Sequence, residues 1–339
     1  MSETRYRAPR MVDVAKLAGV SPQTVSRVVN GSPHVSDESR DRVERAISHL
    51  DYRRNTAARA LATRRTMNIG VVSVGTSQFG PAQTLFGIAE EARKLGYGTS
   101  LVSLGQIDRE SMRAAIEHLA ADAVDGVIVL APIAAAATAV AGISSSLPLV
   151  MFEPGAEDGP VTVAQDEELG ARLATRHLLE LGHRSVHHLA GPDGWLGSEA
   201  RTRGWARELS MSARVAHPVR TGDWSAESGY TIGLELLRQP DVTAVYVAND
   251  QMALGCLKAA HELGIEVPEQ LSIVGFDDIP EARFYVPALT TVRLDFAQVG
   301  RRCVSRLLHL IGVDGDELRP VDPPTLVVRA STAPPPAAG

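Results

Sequence analysis

Cysteine, lysine and aromatic residues are scarce in this chain of 339 residues: two Cys, 4% aromatics, and Arg supplying almost all of the 34 basic side chains. Cys256 and Cys303 stand far apart in apolar, helix-patterned stretches. Such spacing makes neither a disulfide framework nor a thiolate metal site, so a reducing cytoplasm is expected, with no metal and no cofactor. The polar opening MSETRYRAPR holds no apolar core, and no export signal is read there. Long hydrophobic runs are lacking too, with one stretch to weigh: no charge falls between Asp125 and Glu153. Pro132, Gly142 and Pro148 cut it, so strand, short helix and strand explain it better than a membrane span, which needs roughly 20 apolar residues. A Walker-type phosphate cradle is absent, and the carboxylates sit in binding-type motifs rather than across a scissile bond, so no enzyme is expected.

What is present is an uneven charge. Residues 1–65 carry 13 basic side chains against seven acidic ones, while the remainder carries 21 against 33. A basic head on an acidic body holds a polyphosphate at one end and repels it at the other. The head has the punctuation of a helix-turn-helix. Val14, Ala15, Leu17 and Ala18 form a stripe ended by Gly19. Ser21 caps a second helix, Pro22 takes its first position, and Val25, Val28 and Val29 face back. Gln23, Thr24, Ser26 and Arg27 then face outward, where Arg pairs with guanine, Gln with adenine, and hydroxyls with phosphate oxygens. A third helix from Ser36 through Val43, Ala46, Ile47 and Leu50 closes the small core. The Ala-rich segment Asn55–Ala62 between two Arg pairs is too short for a stable isolated helix, so its folding can be made conditional.

The run from Asp13 to Thr66, DVAKLAGVSPQTVSRVVNGSPHVSDESRDRVERAISHLDYRRNTAARALATRRT, resembles the DNA-binding head and hinge of the lactose-repressor family almost end to end. The resemblance implies that Gln23 and Arg27 read bases and that Ser21, Thr24, Ser26 and Asn30 hold phosphates. It also implies a DNA-contacting hinge at Asn55, Ala58 and Leu61, with Leu61 wedged into the minor groove. Pro22 departs from the family's name-giving member, which has a base-contacting tyrosine there, so the operator sequence does not transfer.

Beyond Thr66, continuous apolar runs such as Ile69–Val74, Val124–Leu130 and Leu271–Phe276 alternate with amphipathic stretches such as Leu85–Leu95 and Met252–Leu263. The fold class expected is α/β: an all-α head and two doubly wound parallel-sheet lobes. Ligands bind such lobes at the carboxyl ends of their strands. Glu153, Gln165-Asp166, Arg201, Trp224, Asn249-Asp250 and Asp277-Asp278 all follow strand-like runs. An indole with carboxylates, amides and one guanidinium suits a sugar, although Asp250, Asp277 and Asp278 could be helix caps, Trp224 core, and Arg201 half of a surface ion pair.

GDWSAESG, VANDQMALG, VGFDD, PALTTVRLDF and LGHRSVHHLAGP extend the resemblance to about Arg329. It implies a two-lobed body of the periplasmic-binding-protein type, with Glu153, Arg201, Trp224, Asn249 and Asp277 on the sugar and Phe296 on an apolar wall. Gln165 stands where an aromatic wall is expected, Leu294 replaces a hydrogen-bonding glutamine, and Glu153 replaces a shorter aspartate. His183 reads as structural, and Trp195 as an extra aromatic near the mouth, placed to stack a second ring. The domains expected are a head at 1–54, a hinge at 55–66 and a core at 67–329. Lobe one takes 67–163 with 293–323, and lobe two takes 164–292 with 324–329. The tail 330–339 is expected to be disordered, because Pro334 to Pro336 exclude a helix. The partners expected are a near-palindromic double-stranded DNA operator, a second copy in a homodimer, and a small sugar, with no membrane. An exported sugar receptor would share the body but not the basic head. A purine- or phosphosugar-controlled repressor is the serious alternative.

Overall fold

The computed structural model describes residues 9–29, 34–52, 65–75, 77–105, 108–141, 147–155, 157–313 and 320–336. The chain divides into two compact units, Met1–Thr66 and Met67–Gly339. In the first, α1 (Met11–Ala18), α2 (Pro22–Val29) and α3 (Asp37–Leu50) enclose Val14, Ala15, Ala18, Val25, Val28, Val43, Ala46 and Tyr52. Helix α1 stops at Gly19, whose φ of 64° is the left-handed cap that glycine adopts without strain. Two residues later Ser21 starts α2, its Oγ accepting the Thr24 N–H at 3.0 Å. The turn between the helices is therefore written within four residues: a stop at Gly19, a cap at Ser21 and a proline at Pro22.

The second unit holds two sheets. The first, in the order β2-β1-β3-β4-β5, is parallel throughout. It comprises β1 (Asn68–Ser73), β2 (Gly98–Ser103), β3 (Gly126–Leu130), β4 (Leu149–Pro154) and β5 (Thr162–Gln165), with α4 (Phe79–Lys94), α5 (Arg109–Ala121) and α6 (Ala134–Ala141) between strands. The uncharged stretch after Asp125 resolves into β3, α6 and β4, and no helix among the described residues is long and apolar enough to cross a membrane. The second sheet runs β11-β10-β9-β8-β6-β7, built from β6 (His187–Ala190), β7 (Arg220–Thr221), β8 (Ala244–Val247), β9 (Ser272–Asp277), β10 (Thr290–Arg293) and β11 (Thr325–Val327). Only β11 is antiparallel to its neighbour. Its helices are α7 (Glu167–Glu180), α8 (Leu196–Met211), α9 (Ala226–Leu236) and α10 (Asp250–Glu262), while α11 (Phe296–Leu310) returns to lobe one and buries Val299, Cys303, Val304 and Leu307 beside Ile69, Ile128 and Val150.

The chain thus passes between lobes after Gln165, after Arg293 and before Thr325. The first crossing differs from the expectation by two residues and the second by one, since Gln165 closes β5 in lobe one and Arg293 closes β10 in lobe two. Both cysteines are buried thiols, pushed by that burial up to about 12.

The tail also departs from expectation. Residues 330–336 are not loose but strap the amino ends of the lobe-two strands. Ser331 is fully buried: its Oγ donates to Ile273 O at 2.6 Å and accepts the Thr290 N–H at 2.8 Å, while its carbonyl accepts the Ile273 N–H at 2.9 Å. The Ala333 carbonyl meets His183 Nε2 at 3.0 Å and the Ser272 hydroxyl at 2.9 Å. Prolines exclude a helix, but an extended strap needs none, and it supplies polar partners to strand ends that would otherwise be bare.

Candidate functional site

In the head, Gln23 and Arg27 are exposed and one turn apart on α2. Thr24 and Ser26 are half-buried beside them, and the Ser21 and Thr24 hydroxyls lie 2.9 Å apart at the start of the helix. A guanidinium and an amide thus project from one helix face, with hydroxyls at its positive end. Asn30, Asn55, Ala58 and Leu61 lie outside the described residues.

In the body, a narrow cavity of about 50 Å³ lies between the lobes. Its walls come from the carboxyl ends of strands and the segments that follow them: Phe79 after β1, Pro132 after β3, Phe152 and Pro154 on β4, Glu167 after β5, Trp195 and Arg201 after β6, Trp224 after β7, Asn249 after β8, Asp277 ending β9 and Phe296 after β10. Loops at that end of a parallel sheet are where the backbone can present side chains to a ligand.

Arg201 is the centre of the site. It is buried, and its Nε donates to Glu167 Oε2 at 2.7 Å, one terminal nitrogen to the Ala248 carbonyl, and the other to Asp277 Oδ1 at 3.2 Å. The guanidinium also lies 3.9 Å from the Phe276 ring centre and 5.5 Å from that of Trp224. Planar charge between two carboxylates and over two rings is fixed in orientation, and two of its five N–H groups are left for a ligand. Burial pushes the Asp277 carboxyl up to about 7 against the pull of Arg201. Asp277 and Trp224 hold φ of 101° and 73°, values rare for side-chain-bearing residues, and the bent backbone aims both at the cavity.

Trp224 is held from two sides. Asn249 Nδ2 donates to its carbonyl at 3.0 Å while Asn249 Oδ1 caps α10 by accepting the Met252 N–H at 2.9 Å. A Cβ at position 191 would lie 2.1 Å from Trp224 Cη2, so the ring packs flat only because Gly191 is there. Asn249 therefore positions the indole with both ends of its amide.

Arg201, Trp224, Asn249, Asp277 and Phe296 meet in this cavity; Glu153 and Gln165 are not among its lining residues. Successive strand residues face opposite ways, and on β4 Phe152 and Pro154 take the cavity side, which turns Glu153 to the other. Gln165 is buried with no hydrogen-bond partner for either amide atom. The neighbouring acids have structural partners. Asp166 caps α7, Asp250 accepts the Ile279 N–H and the Thr291 hydroxyl, and Asp278 binds Arg293 and Arg329, each at 2.6 Å. Glu167 is the functional residue that reading strand ends missed, because an acid at the first position of a helix reads as a dipole partner. Among the described residues no cluster of three or more acids, His or Cys could hold a metal.

A DNA-reading head and a two-lobed receptor on one chain make a ligand-responsive regulator. Residues 10–55 match the model for bacterial regulatory proteins of the lacI family, and residues 175–332 match a periplasmic binding protein-like domain. The lactose operon repressor of Escherichia coli K12 is 36% identical over 330 residues, 96% of this chain and 91% of that one. The HTH-type transcriptional repressor PurR of Pasteurella multocida is 32% identical over 94% of this chain and 97% of its own. Among solved structures, a lac repressor dimer bound to operator and the anti-inducer ONPF superposes with a TM-score of 0.84 at 35% identity, covering 96% of this chain and all of that one. A regulator CelR–cellobiose complex does so at 0.66 and 31%, covering 95% and 99%. The chain belongs to the lacI family of bacterial regulatory proteins, and it is a DNA-binding transcriptional repressor.

Proposed function

We propose that a neutral sugar, a galactoside or a related disaccharide, binds between the lobes and releases the repressor from its operator. The observation that carries this reading is Arg201, fixed between Glu167 and Asp277 beside the Trp224 ring. An indole takes the C–H face of a sugar ring, and guanidinium and carboxylate take its hydroxyls in pairs. Arg201 is the sole cation among the lining residues and already has two carboxylates, so a phosphate finds no free positive charge there. A purine is best sandwiched between parallel rings, but the aromatic pairs stand edge to face, Trp195 with Trp224 at 76° and Phe79 with Phe296 at 82°. The ligands named with the solved relatives, ONPF and cellobiose, fit the same chemistry, whereas the PurR relatives are the reason to test a purine.

The binding set we assign is Arg201, Trp224, Asn249, Asp277 and Phe296, with Glu167 orienting the guanidinium; Glu153 and Gln165 stand outside it. On DNA, Gln23 and Arg27 read base edges and Ser21, Thr24, Ser26 and Asn30 hold phosphates. Asn55, Ala58 and Leu61 make the hinge contact. One head reads half a site, so a dimer on a near-palindromic operator is the working unit, in the cytoplasm and without catalysis of its own. Sugar and operator then oppose each other through linkage, and swinging a 99:1 population to 1:99 takes a preference of about 5.5 kcal/mol. Calorimetric titration of the purified protein with mono- and disaccharides, a purine and a phosphorylated sugar tests the ligand class. A neutral sugar is expected to bind; binding of the purine or the phosphosugar alone overturns the reading.

A further inference from the structure

Trp195 belongs to lobe two, immediately before α8, yet it is tied to lobe one. Its backbone forms an antiparallel bridge with Ile133, flanked by hydrogen bonds from Ala134 N–H to Gly194 O and from Leu196 N–H to Pro132 O, both 2.9 Å. Its indole tip rests on the turn after β1, where a Cβ on Gly75 would stand 2.6 Å from Cη2. The same ring meets Trp224 with centroids 5.9 Å apart and planes at 76°. Both indoles line the cavity. Trp224 is buried beside Arg201, and Trp195 is half-buried where the two lobes are stitched together.

Two indole planes at nearly a right angle make a corner. A single pyranose ring is close to flat on its C–H face and covers one plane only. If it lies on Trp224, where Arg201 and Asp277 can take its hydroxyls, the Trp195 face is left bare. Two rings turned about one glycosidic bond can follow the corner and desolvate both faces, gaining dispersion and apolar burial on each. We infer that Trp195 is the specificity-determining residue of a second-ring subsite, by which the cleft prefers a disaccharide to its component monosaccharides. The inference rests on the sugar reading and deepens it. Because Trp195 is pinned to Pro132, Ile133 and Gly75, the second ring also binds at the seam between lobes, where occupancy bears on their spacing.

The test is calorimetric titration of the full-length protein with lactose, cellobiose and maltose, each against galactose and glucose. Wild type, Trp195→Ala and Trp195→Phe are compared, with operator binding as the check that each variant is folded. At least one disaccharide is expected to bind wild type tenfold or more tightly than its monosaccharides. Trp195→Ala should erase that margin while leaving monosaccharide affinity within about twofold, and Trp195→Phe should keep part of it. Gly75→Ala, which pushes on the ring from lobe one, should narrow the margin as well. Equal affinity of wild type for one ring and two, or an undiminished margin in Trp195→Ala, overturns the subsite while the sugar reading stands. If no sugar binds wild type, the sugar reading falls first and the subsite with it.

Discussion

The two walls of the cleft differ in chemistry. Lobe one contributes Phe79, Pro81, Pro132, Phe152 and Pro154, with Gln78 as its polar exception, whereas Glu167, Arg201, Asn249 and Asp277 all come from lobe two. Directional recognition therefore sits on one lobe, and the facing wall offers shape and desolvation. A ligand held by lobe two can be enclosed by lobe one at different angles without its hydrogen bonds being remade. That is what a receptor with two states requires, since the ligand must favour one lobe arrangement over the other to shift the balance.

The largest effect is expected at Arg201, the centre of the polar wall. Arg201→Ala leaves Glu167 and Asp277 facing each other in a buried site, and removing one partner of such a cluster costs about 3–5 kcal/mol. Sugar binding should be lost in titration, with a matching drop in denaturation midpoint, while the removal of Phe152 from the apolar wall should weaken sugar without abolishing it. Next is the strap. Deleting residues 331–339 uncovers the Ile273 and Thr290 backbone groups that Ser331 pairs. At about 0.5–1.5 kcal/mol for each hydrogen bond lost, urea unfolding should show a loss of about 2–4 kcal/mol. The strap lies at the strand ends away from the cleft, so sugar affinity in the surviving folded protein should not change.

In the other unit, Arg27→Ala should weaken operator binding by about 1–3 kcal/mol in a mobility-shift titration, and sugar affinity should stay as it was. A smaller and pH-tuned effect comes from lobe two's core. His188 is buried against Tyr246, its Nδ1–H donating to the Tyr246 carbonyl at 3.1 Å, and burial lowers its pKa from 6.5 to about 4. Below pH 6.5 the unfolded chain takes up a proton that the folded core refuses. Stability is then complete above pH 6.5 and falls as pH drops toward 4, by about 1.4 kcal/mol per pH unit from this group. His187, stacked on His217 and lowered to about 4 as well, should add to that slope. Unfolding in urea at pH 7, 6 and 5 measures it, and His188→Gln should flatten it. The smallest effect is at Gln165, whose unpaired amide is a cost in lobe one. Gln165→Leu should raise stability by about 1 kcal/mol, and a loss of sugar affinity instead would make the amide a ligand contact.

Much of this organisation was legible in the sequence, for local reasons. Gly19, Ser21 and Pro22 mark the turn of the head within four letters, and apolar period separates helix from strand throughout the body. The rule that ligands meet strand carboxyl ends placed Arg201, Trp224, Asn249 and Asp277 together. What was not legible depends on longer-range contacts. Glu153 is one residue from the cavity wall, and in a strand one residue is the difference between the two faces. Glu167 reads as a helix-start acid until Arg201, 34 residues later, arrives beside it. The tail reads as loose because its partners, Ile273, Thr290 and His183, are between 40 and 150 residues away. Sequence period shows what an element buries, and it does not show which distant backbone is left needing a partner.

Filling the cleft should empty the operator, and fluorescence anisotropy of a labelled operator measures this directly. The operator is first selected from random palindromes by the protein itself, then titrated with protein in the presence and absence of the tightest-binding sugar. Saturating sugar should weaken operator binding by at least tenfold in wild type and have no effect in Arg201→Ala. Unchanged or tighter operator binding with the cleft saturated would contradict it.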